Sequence, residues 1–141
     1  MSTLQNLIET VKLVIQTMRP RQWIKNLFVF APILFSMNIF QPSHVMRASV
    51  AFFLFCALAG SVYIINDIAD RREDRHHPVK RNRPLASGRL KAGTALLWAG
   101  AIALISLWIS FGFNKAFFWT VLAYTAINLA YSLWLKAVVI L

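Results

Sequence analysis

The stretch ASVAFFLFCALAGSVYIIN, residues 48–66, decides the fold. Its 19 positions carry no Asp, Glu, Lys or Arg, and the next residue is Asp67. A helix that crosses a bilayer needs about 20 mainly apolar residues. Three further runs without a charge cover residues 26–46, 92–114 and 116–135, and the four together take up 83 of the 141 residues. Buried helices of a soluble bundle would keep a polar face, and these have none. Only 14% of the chain is charged and 58% is hydrophobic, whereas a soluble domain is about a quarter charged. Mean hydropathy is +0.58. The sequence therefore predicts an all-α fold, a polytopic transmembrane helical bundle with about four spans. A lone cysteine, Cys56, excludes a disulfide framework or a thiolate metal cluster within one chain.

The charges sit between these runs, and their asymmetry predicts the orientation. With four spans, the N-terminus, the loop 67–91 and the C-terminal tail share one side. That side carries 13 Lys and Arg, eight of them in the loop, against two (Arg47 and Lys115) on the other. The positive-inside rule then places the N-terminus and the 67–91 loop in the cytoplasm. The net charge of +10 is topological and lipid-facing, so no nucleic acid is implied. In residues 1–18, Leu4, Leu7, Ile8, Val11, Val14, Ile15 and Met18 recur at helical spacing. That pattern suits an amphipathic helix lying on the membrane surface and halted by Arg19-Pro20. Ala57, Ser61, Ala95, Ala99 and Ala103 are small residues of the kind that let helices meet in lipid.

The acids are distributed differently. Four of the five in the chain fall within eight positions, as Asp67, Asp70, Glu73 and Asp74. A carboxylate at the centre of a membrane helix costs about 2.5–3.5 kcal/mol, so a cluster beside a span needs a reason. If the helix continues, Asp67, Asp70 and Asp74 lie at roughly 0°, −60° and −20° around it, with the arginines on another side. Carboxylates grouped in this way repel unless a cation lies among them. An all-oxygen donor set favours a hard ion such as Mg²⁺ over zinc. The alternative is a solvated loop in which the acids pair with neighbouring arginines. The near-absence of acids elsewhere favours the metal site. The adjoining segment, HHPVKRNRPLASGR over residues 76–89, is basic and punctuated by proline. Carboxylates that hold Mg²⁺ next to fixed Lys and Arg form a receptacle for a diphosphate. His76 and His77 are read as solvated, without a catalytic role.

Asn66-Asp67-x-x-Asp70-x-x-x-Asp74, leading into His77-Pro78-x-Lys80-x-x-Arg83-Pro84-x-x-Ser87-Gly88, closely resembles the first aspartate-rich motif and adjoining loop of the UbiA-type intramembrane transferases. The resemblance implies a fold of nine spans around a central cavity and Mg²⁺-dependent transfer with loss of diphosphate. Arg19-Pro20-Arg21-Gln22-Trp23-Ile24-Lys25-Asn26, running into Phe30-Ala31-Pro32, is similar to the opening of the decaprenyl-phosphate phosphoribosyltransferase branch. Tyr131-Ser132-Leu133-Trp134-Leu135-Lys136 also resembles that branch. Its donor is phosphoribosyl diphosphate, its acceptor is a polyprenyl phosphate, and its product serves cell-envelope arabinan.

On this resemblance Asp67, Asp70 and Asp74 are the expected catalytic and metal-holding residues. Asn66, Lys80, Arg83, Arg21, Lys25, Asn26 and Lys136 are the expected substrate-binding residues. The implied location is a bacterial inner (plasma) membrane. The implied partners are the two substrates and membrane lipids, and a homo-oligomer is compatible with them. Two other readings stay open: prenyl transfer from a prenyl diphosphate to an aromatic acceptor such as a quinone precursor, and a non-enzymatic membrane subunit or inactive fragment. Family members run to roughly two domains' worth of chain and carry a second aspartate-rich motif in their later helices. The 141 residues, ending in a hydrophobic run, accordingly read as an N-terminal part or a truncated product with four of nine helices and half of the metal site.

Overall fold

Pro42 opens the longest helix of the bundle. The computed structural model describes residues 3–135 and contains five α-helices. They are α1 (Thr3–Thr17), α2 (Ala31–Phe35), α3 (Pro42–Asp74), α4 (Ala92–Phe113) and α5 (Lys115–Ala130). Tight 3₁₀ segments cover Pro20–Phe30, Asn38–Phe40 and Lys80–Asn82, and one π-helical turn covers Tyr131–Leu135. Among the described residues there is no strand.

Helix α3 begins with Pro42 in its first turn, where proline's missing N–H costs nothing, after an extended Gln41. Its 33 residues rise about 50 Å, well beyond the ~30 Å hydrocarbon core. The helix does continue past residue 66, so the acids occupy its last two turns. Arg71 and Arg72 lie in the final turn, where they complement the negative end of the helix dipole.

The expected first span, residues 26–46, is not one helix. Proline at 32, a left-handed Met37 (φ 57°) and the extended Gln41 divide it into 3₁₀, α and 3₁₀ pieces. The expected boundary at Arg47 fails as well, because α3 starts five residues earlier and carries Arg47 on its exposed side. Charge marks where lipid is avoided, whereas backbone chemistry at 36–42 marks where the chain turns. The broken segment still runs the length of α3, in the opposite direction. Arg19 meets Asp67, Asn26 meets Cys56 and Phe30 meets Phe52, each contact further back along the helix. Among the described residues, three helices are long and apolar enough to span: Pro42–Asp74, Ala92–Phe113 and Lys115–Trp134. Leu97, Leu104, Trp108 and Trp119 project outward from α4 and α5, a surface suited to lipid. The fold is an all-α membrane bundle.

Packing is set by the small residues. Ala95 and Ala99 of α4 are fully buried against α3 and its neighbours, and Ser61 is 1% exposed. Asn114 separates α4 from α5 and caps the latter, its Oδ1 accepting from the Ala116 and Phe117 amides at 2.7 and 3.3 Å. Helix α1 has three faces rather than two. Leu13, Val14, Thr17 and the adjoining Met18 are buried. Leu4, Leu7, Ile8 and Ile15 point outward, and Gln5, Glu9, Lys12 and Gln16 fall beside them on the wheel. Only part of the expected lipid-facing stripe therefore faces out. Val14 and Met18 turn inward, joined by Leu13 from the opposite side of the wheel.

The loop after α3 is also partly buried. Leu85 and Leu90 join Leu13, Val14, Met18, Ile64, Ala95 and Ala99 in one core. Arg75 Nε donates to the Ala86 carbonyl at 3.1 Å, and the Leu90 amide donates to the Pro84 carbonyl at 3.0 Å. Gly88, at φ 78°, makes the left-handed turn that returns the chain toward α4. Residues 16–19, the end of α3, this loop and the Tyr131–Leu135 turn thus gather at one end of the bundle.

Gly60 is where Met18 crosses α3, and a Cβ there would lie 2.5 Å from Met18 Cε and 3.0 Å from its Cβ and Cγ. Gly60→Val should destabilise the docking of α1 by about 1–3 kcal/mol through overpacking. Thermal unfolding in detergent should show a lowered midpoint for Gly60→Val and partial recovery on adding Met18→Ala.

Candidate functional site

Two carboxylates at the end of α3 are withdrawn from water. Asp67 and Asp74 are 2% and 3% exposed. Being seven residues apart, they point to nearly the same side of the helix. Isolated charges at such burial would be costly, so each must be paired. Arg83 supplies the bridge: its Nη1 lies 3.3 Å from Asp67 Oδ1 and 2.8 Å from Asp74 Oδ2. Arg19 Nη2 donates to Asp67 Oδ1 at 2.5 Å, and Lys80 Nζ lies 3.9 Å from Asp74 Oδ1. Three cations from two separate segments thus surround two acids from a third.

The local chain explains how each cation arrives. Arg19 is left-handed (φ 55°) between α1 and Pro20, an uncommon conformation for a residue with a Cβ. It throws the guanidinium back over the Tyr63 ring, 4.8 Å from the centroid, and onto Asp67. Lys80 lies in a short 3₁₀ turn whose start is held by His77, whose Nδ1 accepts from the Val79 and Lys80 amides at 3.2 and 3.3 Å. His77 is exposed. Arg83 stands at the exit of that turn with extended backbone, just before the Pro84-Leu85-Ala86 segment, which is buried.

Asp70 is half-buried and accepts from Asn66 Nδ2 at 3.3 Å. Among the described residues, no three Asp, Glu, His or Cys side chains close on one point as a ready-made metal site. The donor set nonetheless suits a hard cation. It is entirely carboxylate, and Asp67 and Asp74 already converge on one positively charged nitrogen. Mg²⁺ is usually held by one or two carboxylates together with substrate phosphates. A recess of about 310 Å³ opens beside the cluster, with Thr17, Arg19, Asp67, Lys80, Asn82 and Arg83 in its wall. An anion entering it would meet fixed cations backed by acids.

The remaining expected residues are placed differently. Arg21 and Lys25 are exposed and form no ion pair among the described residues. Asn26 is buried, its Nδ2 donating to Cys56 Sγ at 3.4 Å, eleven residues down α3 from Asp67. Lys136 lies outside the described residues.

Comparison with known proteins carries the reading further. Residues 28–141 match the UbiA prenyltransferase family. The chain belongs to that family. Among its relatives, the decaprenyl-phosphate phosphoribosyltransferase of Mycolicibacterium smegmatis is 41% identical over 126 residues, 86% of this chain and 40% of the relative. The protein of the same name from Corynebacterium glutamicum is 39% identical over 99 residues, 69% of this chain and 30% of the relative. That from Mycobacterium tuberculosis is 34% identical over 127 residues, 87% and 42% of the two chains. The chain spans about two fifths of the length of the curated relatives it matches.

Within this UbiA-family chain, Asp67, Asp74, Lys80 and Arg83 come together, Asp70 turns to Asn66 instead, and Arg19, which is not among the expected binding residues, joins the cluster through Asp67. The signal for it is local. A residue directly before proline is disfavoured in a helix, so the basic residue that ends this segment must leave the helix axis there.

Arg83 holds two buried acids at once, and removing one partner of a buried pair leaves uncompensated charge. Arg83→Met should therefore lower the unfolding midpoint and open residues 75–91 to limited proteolysis. Arg81→Met, at an exposed neighbour, should leave both readouts at wild-type values.

Proposed function

We propose that the protein is the part of an intramembrane transferase that grips a diphosphate donor, passing phosphoribose from phosphoribosyl diphosphate to a polyprenyl phosphate. The observation that carries this reading is the buried pair Asp67 and Asp74, ringed by Arg19, Arg83 and Lys80 at the mouth of a spanning helix. Membership of the UbiA family and the names of the relatives support the same chemistry. The basic excess of the N-terminus and the 67–91 loop supports a cytoplasmic site on a bacterial plasma membrane. The reading includes a role in making the lipid-linked pentose of cell-envelope arabinan.

In this mechanism Arg19, Lys80 and Arg83 hold phosphate oxygens of the donor, which suits guanidinium groups because they present paired N–H donors. Asp67, Asp70 and Asp74 would hold Mg²⁺, and Asn66 positions Asp70. When bound, Mg²⁺ supplies positive charge against the diphosphate oxygens. The bond between ribose C1 and the diphosphate oxygen breaks, and its electron pair leaves with the diphosphate. An oxygen of the lipid phosphate forms the new bond to C1. That acceptor is already ionised at neutral pH, so the chain needs no general base. The partly exposed Arg83, on a loop pinned by Leu85 and Leu90, can track the leaving group without unfolding its support.

A second reading, prenyl transfer to an aromatic acceptor, is favoured by the description of the family itself as prenyltransferases. The donor separates the two. The protein produced from its full gene, in membranes with Mg²⁺ and a polyprenyl phosphate, should release diphosphate from phosphoribosyl diphosphate. Asp67→Asn should reduce that release by at least about 100-fold, the upper end of the effect of losing a supporting partner at a metal site. Release from a prenyl diphosphate alone, or Mg²⁺-dependent turnover at wild-type rates in Asp67→Asn, would overturn the proposal.

A further inference from the structure

A second cavity adjoins the basic recess and shares Arg19 with it. It encloses about 440 Å³ between α3 and the end of α5, and Arg19, Tyr63, Asn66, Asn128, Tyr131 and Ser132 contribute to its wall. Ala59, Val62 and Tyr124 complete the wall, so the lining mixes apolar side chains with hydroxyl and amide groups. Its polar groups also have hydrogen-bonding capacity to spare. Among the described residues the hydroxyls of Tyr63, Tyr131 and Ser132 enter no hydrogen bond, and none of them is a sealed, unsatisfied atom. Asn128 spends its Nδ2 on the Tyr124 carbonyl at 2.8 Å, which leaves its carbonyl oxygen to accept. Asn66 likewise donates to Asp70 and keeps an acceptor. Tyr63 is held in place by Arg19 above its ring.

We infer that this cavity is the sugar subsite of the donor: a small polyhydroxylated ring, the ribose of a phosphoribosyl donor, sits against Tyr63, Asn128 and Ser132. The diphosphate meanwhile lies across Arg19 in the basic recess. The inference rests on the proposed function and adds to it the residues that choose a sugar diphosphate over a prenyl diphosphate. Arg19 joins the two subsites, because it borders both cavities. Hydroxyls and amide oxygens of this kind discriminate strongly, since a hydrocarbon in their place leaves them without partners. The tyrosine rings add flat apolar faces on which the C–H side of a sugar can lie.

The test compares two probes on one protein. Binding of phosphoribosyl diphosphate and of inorganic diphosphate, each with Mg²⁺, is measured by calorimetry on the protein in nanodiscs, as wild type and as Tyr63→Phe/Asn128→Leu. The double variant should bind phosphoribosyl diphosphate about tenfold or more weakly, as two lost hydrogen bonds imply. Its affinity for inorganic diphosphate should stay within about twofold, and circular dichroism should show an unchanged helical fold. An equal loss for both probes, or no loss for either, overturns the inference. A wild type that binds inorganic diphosphate yet gains nothing from the attached sugar also overturns it, while leaving the diphosphate site intact. A wild type that binds neither probe refutes the proposed function, and the inference falls with it.

Discussion

Everything at the functional end of this protein depends on the burial of Asp67 and Asp74. A carboxylate removed from water must find a cation or lose its charge. Nearby charges on the same helix cannot supply one, because Arg71, Arg72 and Arg75 lie on other sides of α3. Partners therefore come from outside the helix. Arg19 is delivered by the end of α1, and Lys80 and Arg83 by the loop behind α3. The need to neutralise two acids thus ties three separate segments into one structure at the membrane boundary.

Apolar packing and charge pairing reinforce each other there. Val14 and Met18 bring the end of α1 against Ile64, Leu85 and Leu90, the same contact that carries Arg19 to Asp67. Leu85 and Ala86 anchor the loop immediately after Arg83. The close approach of Met18 to Gly60 is what allows α1 to lie this near α3. A basic loop that would otherwise be solvated is therefore held by a few buried aliphatic residues, and its cations acquire fixed positions.

Much of this architecture is legible in the sequence, and the failures have physical causes. Charge-free runs locate α4 and the start of α5 to within a residue or two, because lipid excludes charge regardless of detail. The same signal misplaces the first turn of the bundle, because Pro32, Met37 and Gln41 break the backbone without changing polarity. Helical spacing finds the α1 stripe but cannot tell lipid from protein as its apolar partner, so it omits Leu13 and turns Val14 and Met18 the wrong way. The acids are recognisable by their isolation and spacing, and Lys80 and Arg83 by their place in the motif. Arg21 and Lys25 stand out in the sequence ahead of Arg19 because motif position alone does not reveal which way a 3₁₀ segment turns its side chains. The cavity between α3 and the end of α5 joins residues some sixty positions apart, and no local pattern announces such a pairing.

The length of α3 has a consequence for where chemistry can take place in a bilayer. Arg47 near one end and Asp67 near the other are twenty residues apart, a rise of about 30 Å, equal to the thickness of the hydrocarbon core. The helix thus works as a gauge, with a charge marking each edge of the oil. Sliding by even one turn would drag Arg47 or Asp67 into the hydrocarbon, and mismatch with a thicker or thinner bilayer is absorbed by tilt instead. A helix placed in this way would bring the carboxylates to the level of the headgroups, the depth at which the phosphate of a lipid with its tail in the membrane lies. An amphiphile would then approach this end of α3 by lateral diffusion, without lifting its chain out of the bilayer.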